Sequence, residues 1–336
     1  MIQNKTLGKS GIKISPIGFG GATLADLNTK LDDIECFKTL EKAFNSGINY
    51  FDTAPLYGYG LSEHRLGNFL KTLNRDQFIL STKVGRYMTP ADPNKIDRLI
   101  FKSTLDFSPN FDYSYDGVMR SFEQSIFRLG LSKIDICLIH DVDSWTHKDE
   151  VDNRFKEAMN GAYKALEKLR SQKVIKAIGV GLNESHWCKK FAESGDFDCM
   201  ILAGRYTLLE QGGLTEFLPL AKKKNIGIIL AGVFNSGVLI KGVTKDSTYD
   251  YAKIPNHIIE KYNAINEVCN DFNVPIAAAA IQFSNAHSAV STLLLGMDYP
   301  EQVQENLNLF NFKIEKEFWL KLLEKKLIDP ESPIPE

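Results

Sequence analysis

Along the chain, short apolar runs alternate with longer stretches whose apolar residues recur every three or four positions. Runs of the first kind fall at 17–22, 49–52, 78–83, 134–140, 175–180, 199–203, 226–231 and 290–295. They lack strict alternation, which fits strands buried on both faces. Between them, 33–45, 62–70, 115–129, 155–172 and 213–224 carry helical periodicity. In the first of these helices Ile34, Phe37, Leu40, Ala43 and Phe44 form the apolar set, and Gly47 closes it. A turn around Gly11 predicts an N-terminal β-hairpin ahead of the first run.

Strand-like runs separated by helices predict an α/β fold of repeated βα units. Eight of them predict a closed (β/α)8 TIM barrel over an open sheet. No Pro/Ser-rich linker divides residues 1–336, so they read as one domain. Two stretches exceed the minimal repeat. Residues 86–112, with three prolines, form a long loop after the third strand, and 234–255 form another after the seventh. Loops of this length on a barrel usually serve the active site. Residues 326–336 read as an irregular tail.

Composition narrows the function class. Hydrophobic residues make up 43% and charged residues 24%, enough for a large core. Lys plus Arg total 40 against 42 for Asp plus Glu, a net charge of −2 that lacks the basic footprint of a nucleic-acid binder. No run has the apolar length of a membrane span, and Met1 to Leu7 lack the apolar core of a signal peptide. Cys36, Cys137, Cys188, Cys199 and Cys269 are an odd set without C-x-x-C spacing, read as reduced core thiols with no metal site. The expectation is a cytoplasmic enzyme acting on a small molecule, a monomer or homodimer without nucleic-acid or membrane partners.

In a parallel barrel the C-terminal strand ends open on one face, and that face carries the chemistry. The second strand runs into Asp52, the third into Lys83, the fourth into His140 and the fifth reaches Asn183. Tyr57 lies five residues beyond Asp52, in a glycine-containing loop. A tyrosine with pKa near 10 is a poor proton-transfer group at neutral pH, and an adjacent ammonium lowers that value. A carboxylate keeps the ammonium charged, and a histidine orients the reacting oxygen. Such a set moves a proton at a carbonyl or alcohol oxygen and leaves the hydride to a nicotinamide. Singly, each residue has a plainer explanation: Asp52 as a cap, Lys83 and His140 as polar strand ends, Tyr57 as a loop aromatic. Four compatible groups on neighbouring mouths make coincidence a poor account.

These residues also carry a family resemblance. Phe51-Asp52-Thr53-Ala54, Tyr57-Gly58, Glu63 and Leu66-Gly67 closely resemble a signature of the aldo-keto reductases. Arg128-Leu129-Gly130, with Ile134-Asp135 and Ile139-His140, resembles their second signature, and the likeness runs from Leu7-Gly8 to Glu305-Asn306. It implies Tyr57 as the proton-transfer residue, Lys83 as its pKa-lowering partner, Asp52 as the partner of Lys83 and His140 as the substrate-orienting group.

Within the family, 112–121, Ile139-His140-Asp141-x-Asp143 and 203–209 resemble the branch of D-threo-aldose 1-dehydrogenases (L-fucose dehydrogenases), L-galactose dehydrogenase and pyridoxal 4-dehydrogenase. The branch implies oxidation of a ring C1 hydroxyl to a lactone. Tyr113, Asp143 and Trp145 are the candidates for contacting a sugar, and pyridoxal, another cyclic hemiacetal, suits the same mouth.

The resemblance also implies where a dinucleotide lies. Asn183 pairs with the carboxamide and Tyr206 offers a ring face to the nicotinamide. Arg205 stands near the place of the family's usual glutamine. Phe234, Asn235, Ser236 and Gly237 offer backbone and hydroxyl donors to a pyrophosphate. The adenosine end falls at Asp298, Gln302 and Asn306. No Lys or Arg occurs from Tyr262 to Phe312, so a 2′-phosphate lacks a cation there and NAD is expected over NADP.

Other readings fit less well. Gly18-Phe19-Gly20 and Gly179-Val180-Gly181 lack the remaining glycine of a Rossmann fingerprint. Tyr249-x-x-x-Lys253 imitates a short-chain dehydrogenase motif without that fold's glycine loop, and His140, Asp141, Asp143 and His147 match no metal spacing. A general aldehyde or ketone reductase, a Schiff-base aldolase using Lys83, and a low-turnover cofactor-binding regulatory subunit remain as alternatives.

Overall fold

The computed structural model describes residues 3–27, 29–250 and 252–335. Eight parallel strands close into a barrel: β1 (Ile17–Gly20), β2 (Tyr50–Asp52), β3 (Ile79–Val84), β4 (Ile136–His140), β5 (Ala177–Leu182), β6 (Cys199–Ala203), β7 (Gly227–Ala231) and β8 (Val290–Leu295). Each strand pairs with its sequence neighbour, and β8 pairs with β1 to complete the ring.

Side chains alternate across each strand, so every second residue faces the barrel interior. Tyr50, Ile136, Leu138, Ala177, Cys199, Ile201, Ile229 and Leu294 form the inner core. Leu7, Ile12 and Ile14 of the N-terminal hairpin (Lys5–Thr6 with Lys13–Ile14) close its lower end. Gly179 faces this crowded interior: a Cβ there would stand 2.7 Å from Leu138 Cδ2 and 2.1 Å from Cys199 O. Its place in Gly179-Val180-Gly181 is therefore a packing requirement rather than a phosphate loop. The larger outer core, including Phe51, Phe69, Cys137, Ile139, Phe191 and Trp319, joins the strands to the helices.

Helices Asp33–Asn45 and Tyr115–Leu129 have the bounds their periodicity predicts. Asp32 caps the first through Ile34 N and Glu35 N, yet Ile34 itself points to solvent at 67% exposure. Of the set the sequence favours, Leu40 and Ala43 are buried and Phe37 and Phe44 pack against the core, with Cys36 and Thr39 completing the buried face. The single helix predicted at 155–172 is two, Val151–Asn160 and Ala162–Ser171, broken where Gly161 approaches Tyr113 O. The predicted 213–224 likewise divides at Phe217, ahead of Pro219.

The two long connections are partly ordered. Arg86–Pro90 and Phe107–Phe111 pair as an antiparallel hairpin, and its excursion is tied down by Lys102 N to Asp26 O (2.8 Å) and Leu105 N to Gly58 O (3.0 Å). The 234–255 segment holds a short helix, Val238–Lys241, and the pair Thr248–Tyr249 with Ala252–Lys253. Residues 326–335 form no helix or strand, and Ile328 there is 2% exposed. All five cysteines are buried and unpaired. Among the described residues no helix is long and apolar enough to cross a membrane, and no group of His, Cys, Asp and Glu could hold a metal.

Candidate active site

Strand alternation places the chemistry. Tyr50 is inward on β2, so Asp52 is inward one step higher; Leu138 is inward on β4, so His140 is inward above it. On β3, Ser81 and Lys83 face in, while Thr82 faces out and donates to buried Glu63 at 2.8 Å. Asp52, Lys83 and His140 thus meet at the upper end of the barrel interior.

Lys83 Nζ donates to Asp52 Oδ2 at 2.6 Å and to Thr53 O at 3.0 Å. Ser81 Oγ donates to the other oxygen of Asp52 at 2.6 Å and contacts the Tyr50 hydroxyl at 2.9 Å. Both carboxylate oxygens are therefore satisfied inside the core. The ammonium lies 4.8 Å from the centroid of the Tyr57 ring. Tyr57 and His140 meet edge to face at 6.0 Å. After Tyr57 the chain turns through Gly58, Tyr59 and Gly60, all with positive φ, and Tyr59 packs on Phe101 of the hairpin excursion.

The electrostatics are set by burial first. Burial disfavours the Lys83 charge, but Asp52 and Tyr57 outweigh it and hold the ammonium above its ordinary range. Tyr57 keeps part of its surface at the mouth, yet dense surroundings push its hydroxyl up to about 12. Lys83 opposes that rise, as the sequence suggests, without overcoming it; a net lowering of the Tyr57 pKa does not occur in the free site. Burial, then the charges of Arg86 and Lys83, keep His140 well below its ordinary value and hence neutral.

Where several strands end lies a groove of about 690 Å3 whose lining includes Trp145, Asn183, Gly204, Gly232, Leu295, Asp298, Gln302 and Asn306; Asp52, Tyr57, Lys83 and His140 are not among its described lining residues. Phe234, Asn235, Ser236 and Gly237 also line it. Ile100 of the hairpin excursion and Thr248 and Asp250 of the seventh-strand loop reach its walls. All but two of the residues expected to hold a dinucleotide therefore share one cavity.

The exceptions are instructive. Tyr206 is fully buried, stacked on Phe283 at 5.4 Å, and offers no face to the groove. Arg205 is committed to the protein, donating to Asn183 O at 2.9 Å and pairing with Asp250 at 2.6 Å. Two of the expected sugar contacts also fail for lack of exposure. Tyr113 is fully buried and donates to His140 O at 2.7 Å. Asp143 is fully buried too, caps the helix Ser144–His147 through Thr146 N, and holds Asn183. Trp145 remains at the mouth, 38% exposed.

Several groups escaped the sequence. Arg86 pairs with Asp141 at 2.8 Å beside His140. Lys241 is the sole Lys or Arg among the described groove residues. Arg86 immediately follows the Val84-Gly85 end of the third strand, so its position was readable but its fold-back was not. Glu63 and Arg128, which carry part of the family signatures, form a buried ion pair and not a reacting group.

The groove suits a polar, extended dinucleotide. Gly204 (φ 69°) and Gly232 (φ 65°) line it, and a Cβ on Gly204 would meet nothing within 4 Å, so the backbone is bare toward a ligand. Asn235 Oδ1 is buried there without a partner, an acceptor that a ligand hydroxyl or amine would satisfy.

Comparison with known proteins agrees with this geometry. Residues 16–326 match the model of the Aldo/keto reductase family. The chain is 40% identical to a pyridoxal 4-dehydrogenase from Microbacterium luteolum, covering 97% of this chain and 98% of that one. It is 37% identical to a D-threo-aldose 1-dehydrogenase from a Pseudomonas species, with 95% and 96% covered. In structure it resembles the holo form of an aldo-keto reductase from Bacillus halodurans, with a TM-score of 0.77 at 21% identity over 100% of this chain and 99% of that one. The protein is an oxidoreductase and belongs to the aldo/keto reductase family.

Proposed function

We propose that this oxidoreductase is an NAD-dependent dehydrogenase that oxidises the C1 hydroxyl of a cyclic hemiacetal to a lactone, with an aldose such as L-fucose or the hemiacetal form of pyridoxal as substrate. The observation that carries the reading is the Asp52–Lys83–Tyr57 chain ending beside neutral His140. Similarity to dehydrogenases of both substrate types supports it.

Tyr57 takes the proton of the C1 hydroxyl, and Lys83 stabilises the phenolate needed for that step. Asp52, itself held by Ser81, keeps Lys83 charged and aimed. His140, being neutral, donates a hydrogen bond to the reacting oxygen without adding a charge. Bound nicotinamide supplies the hydride acceptor. Asn183 and the 234–237 segment are the residues proposed to hold it, with Asp298, Gln302 and Asn306 toward the adenosine. Trp145 offers the substrate a ring face at the mouth.

NAD is the proposed partner because Asp298 and Glu305 line the groove where the adenosine is proposed to lie, and a 2′-phosphate there would need cations. The Schiff-base reading loses ground because a lysine held charged, with Asp52, Thr53 O and Tyr57 as partners, is no nucleophile. Product analysis tests the reaction: incubation with NAD and pyridoxal or L-fucose should give a cyclic product two hydrogens lighter than substrate. A retro-aldol fragment, or unchanged substrate with bound NAD, refutes it.

A further inference from the structure

Asp141 is a non-glycine residue with φ of 54°, in the left-handed region, immediately after His140. Its N–H donates to Gly181 O at 3.0 Å, and the reversed backbone turns its carboxylate back over the imidazole it follows. Asp141 Oδ1 lies 3.4 Å from His140 Nε2, too long for a strong hydrogen bond but close enough for a strong field. Its other oxygen accepts from Arg86 Nη2 at 2.8 Å. Arg86 is itself fixed. Its guanidinium lies 4.2 Å from the centroid of Phe111, its carbonyl accepts from Ser121 Oγ at 2.7 Å, and the side chain is 6% exposed.

We propose that Arg86 and Asp141 are a positioning pair for His140: the carboxylate fixes the imidazole proton on Nε2, and the guanidinium stops the ring from taking a second one. The inference rests on the substrate-orienting role proposed for His140. A carboxylate beside Nε2 stabilises a proton there over Nδ1. Left unopposed, the same carboxylate would draw the ring toward imidazolium. Arg86 cancels that pull while leaving the local field on the Nε2 proton.

The other groups around the ring do not substitute for this pair. Lys83 and Tyr57 approach from the second and third strands, and only Lys83 carries a charge that opposes protonation. Tyr113 donates to the His140 carbonyl, and His147, which contacts the Tyr113 hydroxyl at 3.0 Å, is held down to about 4 and is neutral. Asp143 faces Asn183 and Thr146. Gly181, on the fifth strand, brings no charge.

The test uses the full chain with NAD bound and its six histidines labelled with 15N, His140 being assigned from the spectrum of His140→Gln. The wild-type ring should remain neutral, with the proton on Nε2, down to pH 5. Arg86→Gln should raise the His140 midpoint by about one unit or more. In kcat/KM on whichever of pyridoxal and L-fucose is oxidised, its loss should be larger at pH 5 than at pH 9, in proportion to the fraction of the ring protonated at the raised midpoint. Arg86→Lys should behave like wild type in both. A folded Arg86→Gln variant whose His140 titrates as in wild type overturns the proposal, as does a wild-type ring titrating near 6.5. If Arg86→Gln does not fold, Asp141→Asn decides: a shift of the proton toward Nδ1 supports the pair and an unchanged tautomer overturns it. Full turnover by His140→Gln would instead refute the role proposed for His140, leaving the spectroscopic result to judge the pair.

Discussion

Asp143 and Asn183 are joined twice: Asp143 Oδ2 accepts from the backbone N–H and from the side-chain Nδ2 of Asn183, at 3.1 Å each. The carboxylate is fully buried, and its second oxygen caps the next helix through Thr146 N at 2.9 Å. A single acid therefore sets the orientation of an amide at the groove. Asp143→Ala should free that amide and weaken NAD binding by about tenfold, as loss of a charged hydrogen bond implies. Titration of the protein with NAD checks this, and loss of the cap should lower stability by about 1 kcal/mol.

Tyr57→Phe removes the proposed proton carrier and little else. Turnover should fall by roughly 10² to 10⁴ while NAD binding stays within about threefold of wild type. Parallel steady-state and binding measurements separate the two. Loss of binding would make Tyr57 part of the cofactor site.

Much of this site was legible in the sequence because it is written by strand position. Asp52, Lys83 and His140 end apolar runs, and alternation with Tyr50, Ser81 and Leu138 sends them inward. The places where reading failed share a cause. Tyr113, Asp143 and Tyr206 carry polar groups in loop segments, and only tertiary packing buries them. Ile34 fits the helical stripe by spacing, but at the first turn of its helix it stands in solvent while Phe37, Leu40, Ala43 and Phe44 meet the core. The Arg86–Asp141 contact depends on a hairpin folding back over the mouth, which no local pattern announces.

The raised Tyr57 pKa, about 12, gives the pH dependence a sign. Oxidation needs Tyr57 deprotonated, and below its pKa the phenolate fraction rises tenfold per pH unit. The oxidative kcat/KM should therefore climb with pH from 7 toward 10, and the reductive rate, which needs the protonated phenol, should not. Lys83→Met removes the charge that opposes the rise, so any residual activity should shift to higher pH and fall by roughly 10² or more at neutrality. A flat oxidative profile over this range would speak against Tyr57 as the base.

Cofactor choice follows from the lining of the groove. Gln302 Oε1 accepts from Asp298 N at 2.7 Å, Glu305 also lines the groove, and the one Lys or Arg among the described groove residues is Lys241, on another segment. NAD should be favoured over NADP in kcat/KM. Gln302→Arg should narrow that ratio by about tenfold, and Lys241→Ala should change it far less. Competing-cofactor assays read both.

Glu63 and Arg128 supply a stability prediction. Glu63 is fully buried, accepts from Arg128 Nε at 2.5 Å and from Thr82 at 2.8 Å, and joins the helix Leu61–Leu70 to Tyr115–Leu129. Arg128→Met strands the carboxylate in the core and should cost about 3–5 kcal/mol in denaturant unfolding.

The central claim is that Tyr57 and its partners oxidise a cyclic hemiacetal with NAD. The most direct measurement is the rate of NADH formation by wild type and Tyr57→Phe with L-fucose, D-arabinose, L-galactose and pyridoxal. The account predicts rapid NADH formation with at least one of these, abolished in Tyr57→Phe. No NADH from wild type that binds NAD, or equal rates in the two proteins, would contradict it.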